Sequence, residues 1–211
     1  MNHLLINQKI TAITFQEEWQ KTPVVIYPAG LGAVRDLIDM LPMLKKLKVT
    51  FFFSGAKRQN YEAVQILSSL GICSGVVIKE NADWERLTDL MYYALCGKAW
   101  HAPIEPFQYV YEVYSRNTLV NYGKVFSILD DDGDCNLTAK DAKEAQRTQR
   151  GEPDKSWQRF FYEGTACAAC EGWRICLGKY AGLKDKSGCK AFTAELLNLI
   201  ESIKFKKQEK L

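Results

Sequence analysis

Four cysteines near the C-terminus carry the strongest chemical signal in this sequence of 211 residues. Cys167 and Cys170 are separated by two residues, and a tight backbone turn of that length directs both sulfurs to the same side. Cys176 and Cys189 follow farther along the chain. Four thiolates are enough to hold a tetrahedral zinc ion or one iron–sulfur cluster, and sulfur ligands alone do not distinguish the two. The spacing therefore predicts a metal centre of either kind.

An acidic segment, residues 130–141, has the ligand pattern of an EF-hand calcium loop. Leu137 occupies the apolar eighth position, and alternate oxygen side chains of such a loop surround a hard cation. The sixth position is Cys135 instead of glycine, and the last is aspartate instead of glutamate. The alternative is an Asp-Gly turn that joins two elements. The candidate calcium ligands, at positions 1, 3, 5 and 12, are Asp130, Asp132, Asp134 and Asp141.

The composition indicates a folded protein without a nucleic-acid or membrane-spanning surface. Apolar residues make up 47% and charged residues 25%, which is typical of folded domains. The net charge of +3 is spread along the chain, so no concentrated basic face for nucleic acid is expected. No run reaches the ~18–20 apolar residues of a membrane span, and residues 1–9 lack a signal-peptide pattern. A cytoplasmic location is expected, where the 7 cysteines would be thiols or metal ligands.

The first hundred residues alternate between strand and helix patterns. Short β-branched or aromatic runs at 24–27, 49–53 and 75–78 are typical of buried strands, and each precedes a run of apolar residues at helical spacing. The predicted helices cover 33–47, 60–70 and 84–96, with Gly71 as the stop of the second and Asn81 or Asp83 as a cap of the third. Three such units predict an α/β fold with parallel strands, as part of a barrel or as a small open sheet.

The second half of the chain predicts a separate, smaller domain. Residues 107–114 alternate aromatic and β-branched side chains and predict another strand, while the tail from Ala191 to Lys207 predicts a helix. We therefore divide the chain into a βα portion at 1–106 and a small cysteine-rich α+β domain at 107–211.

The cysteine spacing resembles the SPASM domain, the auxiliary-cluster module of radical S-adenosylmethionine peptide-modifying enzymes. The resemblance covers the Cys-x2-Cys-x5-Cys run and the distant cysteine after it. It implies that Cys167, Cys170, Cys176 and Cys189 are the ligands of one auxiliary [4Fe–4S] cluster. Tyr180 stands where the family has a cysteine of its other auxiliary cluster, which implies that this second cluster is missing. The same resemblance implies that residues 1–106 are part of a radical-SAM-like barrel.

One motif of the family is missing from this sequence. The Cys-x3-Cys-x2-Cys run, which holds the cluster that cleaves S-adenosylmethionine, does not occur in it. The expectation is thus a non-cleaving or split relative, not an autonomous radical enzyme, that acts in the maturation of a ribosomally synthesised peptide. It would bind the precursor peptide or pass electrons to a companion radical enzyme. The alternatives are a zinc-stabilised binding module without catalytic activity and a calcium-binding protein.

Overall fold

The computed structural model describes residues 4–6, 24–26, 38, 41–47, 49–78, 81–118, 120, 166–176 and 186–209. The chain divides into two compact units, residues 1–108 and residues 109–211, which we call the N-terminal unit and the C-terminal unit.

The described residues of the N-terminal unit include a parallel β-sheet of five strands. Its strands follow one another in the sheet in the same order as in the chain, and every neighbouring pair is parallel. Parallel crossovers are right-handed, so the described helices that connect successive strands are expected on one face of the sheet. The predicted α/β class is thereby confirmed. The strands are β1 (Leu4–Ile6), β2 (Val24–Ile26), β3 (Val49–Ser54), β4 (Ser74–Val77) and β5 (Ile104–Glu105).

In the ranges that the structure describes, three helices lie between these strands, α1 (Leu41–Leu44), α2 (Arg58–Ser69) and α3 (Trp84–Cys96). The helix predicted at 60–70 is confirmed and ends before Gly71, whose φ of 88° is the left-handed conformation that glycine adopts readily. The helix predicted at 84–96 is also confirmed. Of the two candidate caps, Asp83 performs the role, since its carboxylate accepts a hydrogen bond from the Arg86 amide at 3.1 Å. Of the span predicted at 33–47, the described helical part is α1 and a 3₁₀ position at residue 38.

The sheet is buried on both faces at β3 and β4, as parallel sheets usually are. Phe51 and Phe53 are fully buried. They lie on the face of the sheet that carries α2, since Ser74, which is paired with Phe51, donates a hydrogen bond to a carbonyl of that helix. On the other face, Phe52 lies beside Gly75. A Cβ at Gly75 would lie 2.5 Å from the Glu105 backbone oxygen and 2.8 Å from the Phe52 ring, so only glycine fits there. Each buried phenylalanine contributes roughly 1.5–3 kcal/mol to folding.

Residues 107–114, predicted as a strand, form a helix instead. This helix, α4 (Phe107–Ser115), begins directly after β5. Phe107, Val110 and Tyr114 are buried, whereas Glu112 is exposed. The buried positions are three and four residues apart, so they share one side of a helix. Aromatic and β-branched residues are typical of strands, but here the helix allows these residues to be buried together on one side.

The described part of the C-terminal unit consists of helices, namely most of α4 with α5 (Trp173–Cys176) and α6 (Lys186–Gln208). The predicted tail helix is confirmed and begins at Lys186 instead of Ala191. Phe192, Leu196 and Ile200 are buried along one side of α6, and Ile175 of α5 is fully buried. The helix α5 packs on α6, and this contact holds the cysteine-bearing segment against that helix.

Candidate metal centre

Cys167, Cys170 and Cys176 lie on two consecutive turns that we call the knuckle (residues 167–176). The Cys170 amide donates to the Cys167 carbonyl at 3.2 Å, which closes the first turn. The Cys176 amide donates to the Gly172 carbonyl at 3.0 Å, which closes the second. The residues between the first two cysteines are alanines, whose small side chains place few demands on this turn. The knuckle thus arises from local hydrogen bonds.

The knuckle lies directly against the first part of α6. A Cβ at Gly172 would overlap the Thr193 side chain and would lie 2.8 Å from the Thr193 carbonyl carbon. Such an approach is open only to glycine at position 172. Cys189 precedes Thr193 by four residues on α6, so the two lie on the same side of the helix. The contact between Gly172 and Thr193 therefore brings the cysteine of α6 close to the knuckle.

A buried hydroxyl connects the two segments. The Cys170 Sγ lies 3.8 Å from the Thr193 Oγ1, and only 1% of Thr193 is exposed. The same hydroxyl donates to the Cys189 carbonyl at 2.9 Å, with the Lys190 carbonyl at 3.2 Å as an alternative acceptor. One side chain thus contacts the sulfur of Cys170 and the backbone of Cys189.

None of the four candidate ligands is in a disulfide, and they differ in exposure. Cys167, Cys170 and Cys189 are half-buried, whereas Cys176 is buried with 7% of its surface exposed. Reduced sulfurs that are partly open to solvent are the form in which cysteines take up a metal.

Whether these residues suit a metal depends both on the chemistry of the donor atoms and on their placement. Chemically, four sulfurs on two touching segments are a suitable donor set for zinc or an iron–sulfur cluster. Geometrically, the ranges that the structure describes contain no group of three or more His, Cys, Asp or Glu side chains placed to hold a metal ion. The sulfurs thus lie on adjoining segments without forming a coordination shell as they stand.

A polar network holds α5 against α4 and α6. Glu201 accepts a hydrogen bond from the Tyr114 hydroxyl at 2.8 Å and one from Arg174 at 3.2 Å. The Arg174 guanidinium also lies over the Tyr114 ring at 5.2 Å. Burial and the neighbouring Glu201 carboxylate raise the pKa of Tyr114, so the hydroxyl stays protonated and keeps donating. Arg174 lies two residues before Cys176, and the network thereby orients this end of the knuckle.

Sequence reasoning missed Gly172, Thr193 and Glu201. Gly172 lies within the Cys-x5-Cys interval, and a glycine there is a signal of close backbone approach. Thr193 follows Cys189 at helical spacing, which places both on one side of a predicted helix. Nothing in the residues next to Glu201 indicates its role, because its hydrogen-bond partners come from distant parts of the chain.

The structure describes two further cysteines outside the C-terminal unit. Cys73 and Cys96 belong to the N-terminal unit, where burial and the charge of Glu105 raise the pKa of the Cys73 thiol. A raised pKa lowers the thiolate fraction and with it the reactivity of Cys73. The candidate calcium loop at 130–141, including Cys135, lies outside the described residues.

None of the described helices combines the length and the apolar character that crossing a membrane requires. Comparisons of the chain with protein-family models, with curated proteins and with solved structures find no match.

Proposed function

We propose that the C-terminal unit carries one [4Fe–4S] cluster on Cys167, Cys170, Cys176 and Cys189, and that the protein acts in the maturation of a ribosomally synthesised peptide. The observation that supports this most directly is the contact of the knuckle with α6. It brings the segment bearing three of the cysteines against the helix bearing the fourth. The cysteine spacing supports the same assignment through its resemblance to the SPASM domain.

The residues of this chain have a binding and positioning role in this proposal. The four thiolates would hold the cluster, and the network around Glu201 would keep α5 against α6 while it is bound. When bound, the cluster supplies one-electron transfer. The sequence contains no Cys-x3-Cys-x2-Cys run, so these residues do not themselves cleave S-adenosylmethionine. The protein would bind the precursor peptide or pass electrons to a companion radical enzyme.

The sheet of the N-terminal unit supports a barrel-related scaffold. Its five parallel strands follow chain order, which is also the order of neighbouring strands in a βα barrel. A doubly wound sheet would instead reverse its order at a switch point. The parallel sheet is therefore compatible with the partial barrel that the resemblance implies.

A structural zinc ion is the second candidate, and the burial around Cys176 favours it. Cys176 and its neighbour Ile175 belong to the core of the C-terminal unit. A ligand at a core position is typical of a metal that holds a small fold together. In that case the protein would be a binding module without redox chemistry.

Metal and sulfide analysis of anaerobically purified protein separates the two. We expect about four irons and four acid-labile sulfides per chain, and their loss in the Cys167→Ala/Cys170→Ala variant. Cys96→Ala is the matched control, because Cys96 is an exposed thiol at the end of α3. It should keep the full iron content. One zinc without sulfide would establish the structural site, and no metal in any preparation would refute both assignments.

A further inference from the structure

We infer that Thr193 is a positioning residue of this site, whose hydroxyl holds the Cys170 sulfur beside the first turns of α6 and so pairs Cys170 with Cys189. The inference deepens the metal-centre proposal and rests on it for its biological meaning. The geometry that carries it belongs to the chain without metal.

Thr193 contacts both of the segments that bear the cysteines. Its Oγ1 lies 3.8 Å from the Cys170 Sγ and 2.9 Å from the Cys189 carbonyl oxygen. With 1% of its surface exposed, the hydroxyl has no access to bulk water as an alternative partner. A buried hydroxyl without a partner costs roughly 1–3 kcal/mol, so these contacts are maintained.

The direction of the hydrogen bond follows from counting protons. A hydroxyl has one hydrogen, which the Cys189 carbonyl accepts while the Cys170 thiol can donate its own hydrogen to Oγ1. A metal-bound sulfur carries no hydrogen, so the contact with Cys170 then persists only if the hydroxyl turns to donate to it. The Cys189 carbonyl remains satisfied, because in an α-helix it also accepts from the amide four residues later.

This arrangement pairs the cysteines in a specific way. Cys189 and Thr193 share one side of α6, and Thr193 contacts Cys170. No such contact links Thr193 to Cys167 among the described hydrogen bonds. Residues that hydrogen-bond metal ligands commonly change metal affinity by about 10–100-fold when they are replaced. Thr193 is expected to act on the site in this way.

The first test needs no metal. The reduced metal-free chain is treated with dibromobimane, which joins two neighbouring thiols, and is digested with trypsin. Cys170 and Cys167 lie in the peptide 160–174, and Cys189 lies in the peptide 187–190. We expect a link between these peptides that survives in Cys167→Ser and is lost in Cys170→Ser. A link that requires Cys167, or no link, would overturn the pairing.

Two variants of Thr193 separate the hydroxyl from the shape of the side chain. Thr193→Val keeps the volume and removes the hydroxyl, whereas Thr193→Ser keeps the hydroxyl. We expect the link yield to fall severalfold in Thr193→Val and to stay close to wild type in Thr193→Ser. Circular dichroism establishes that both variants are folded. Equal yields in the two folded variants would show that the hydroxyl does not position Cys170.

Cobalt(II) binding is the second readout, since thiolate-to-cobalt absorption reports sulfur ligation directly. Thr193→Val should weaken cobalt binding by about 10–100-fold, and Thr193→Ser should restore most of the affinity. If the wild-type chain binds neither cobalt nor iron, the metal-centre proposal fails, and the cross-linking result still decides the role of Thr193. If both variants bind cobalt like wild type, the inferred influence of Thr193 on the metal is refuted.

Discussion

Replacing Gly172 by alanine tests the contact on which the candidate site depends. The added Cβ would overlap the Thr193 side chain and would approach the Thr193 carbonyl carbon to 2.8 Å. A flexible side chain can move away from such a contact, but a helix backbone atom cannot do so alone. The knuckle and α6 must therefore separate to accommodate the methyl group.

The expected loss of stability in Gly172→Ala follows from the kind of contact that the methyl group would make. Overpacking by one methyl group in a well-packed interior costs about 1–3 kcal/mol. For a chain of this size, 1 kcal/mol lowers the melting temperature by about 2–4 °C, so a decrease of roughly 2–12 °C is expected. The same separation moves Cys170 away from Cys189, and metal affinity should fall together with stability.

Thermal unfolding followed by circular dichroism measures the first effect, and cobalt titration measures the second. Gly188→Ala is the matched control, because Gly188 lies within α6, where alanine is favoured over glycine by up to about 1 kcal/mol. The control should melt at the wild-type temperature or above it. If Gly172→Ala melts like the control and binds cobalt like wild type, the close approach of the knuckle to α6 is refuted.

Three further outcomes are expected elsewhere in the chain. Burial raises the pKa of the Tyr61 hydroxyl above its ordinary value of 10.0. The folded state thus opposes ionisation, and its stability should fall as the pH rises above about 10. Urea unfolding between about pH 9 and pH 11 should show a smaller loss of unfolding free energy for Tyr61→Phe than for the wild type. An equal loss in both proteins would contradict the assignment. Asp83→Ala removes the cap of α3 and should cost about 0.5–2 kcal/mol in the same assay, whereas Asp83→Asn should cost much less. Glu201→Gln breaks an exposed ion pair with Arg174 but leaves an acceptor for Tyr114. The free energy of unfolding should therefore change by less than about 1 kcal/mol. A larger loss would show that the charge itself stabilises the network.

Much of the fold could be predicted because its elements are encoded locally. The β-branched run of β4, the periodic apolar residues of α2 and α3, and the stop at Gly71 are recognisable from neighbouring residues alone. The long helix α6 was predicted for the same reason, from apolar residues at helical spacing. The knuckle follows from local hydrogen bonds between residues a few positions apart.

Other features depend on partners that are distant in sequence. Residues 107–114 have side chains that suit a strand, and the helix is selected by the burial of Phe107, Val110 and Tyr114 on one side. Glu201 was missed because Tyr114, which donates to it, lies 87 positions away. Local propensity is too weak to decide such cases when burial favours another conformation.

The candidate site itself combines both kinds of information. Reading the residues in order reveals which residue types are available, namely four cysteines at a metal-binding spacing and a glycine between two of them. Which segments meet is known only from the folded chain, in which Gly172 lies against Thr193 and the Cys170 sulfur lies beside the Thr193 hydroxyl. The physical reason is that spacing within a turn is set by backbone geometry, whereas the packing of a turn on a helix is set by burial and steric fit across the whole unit.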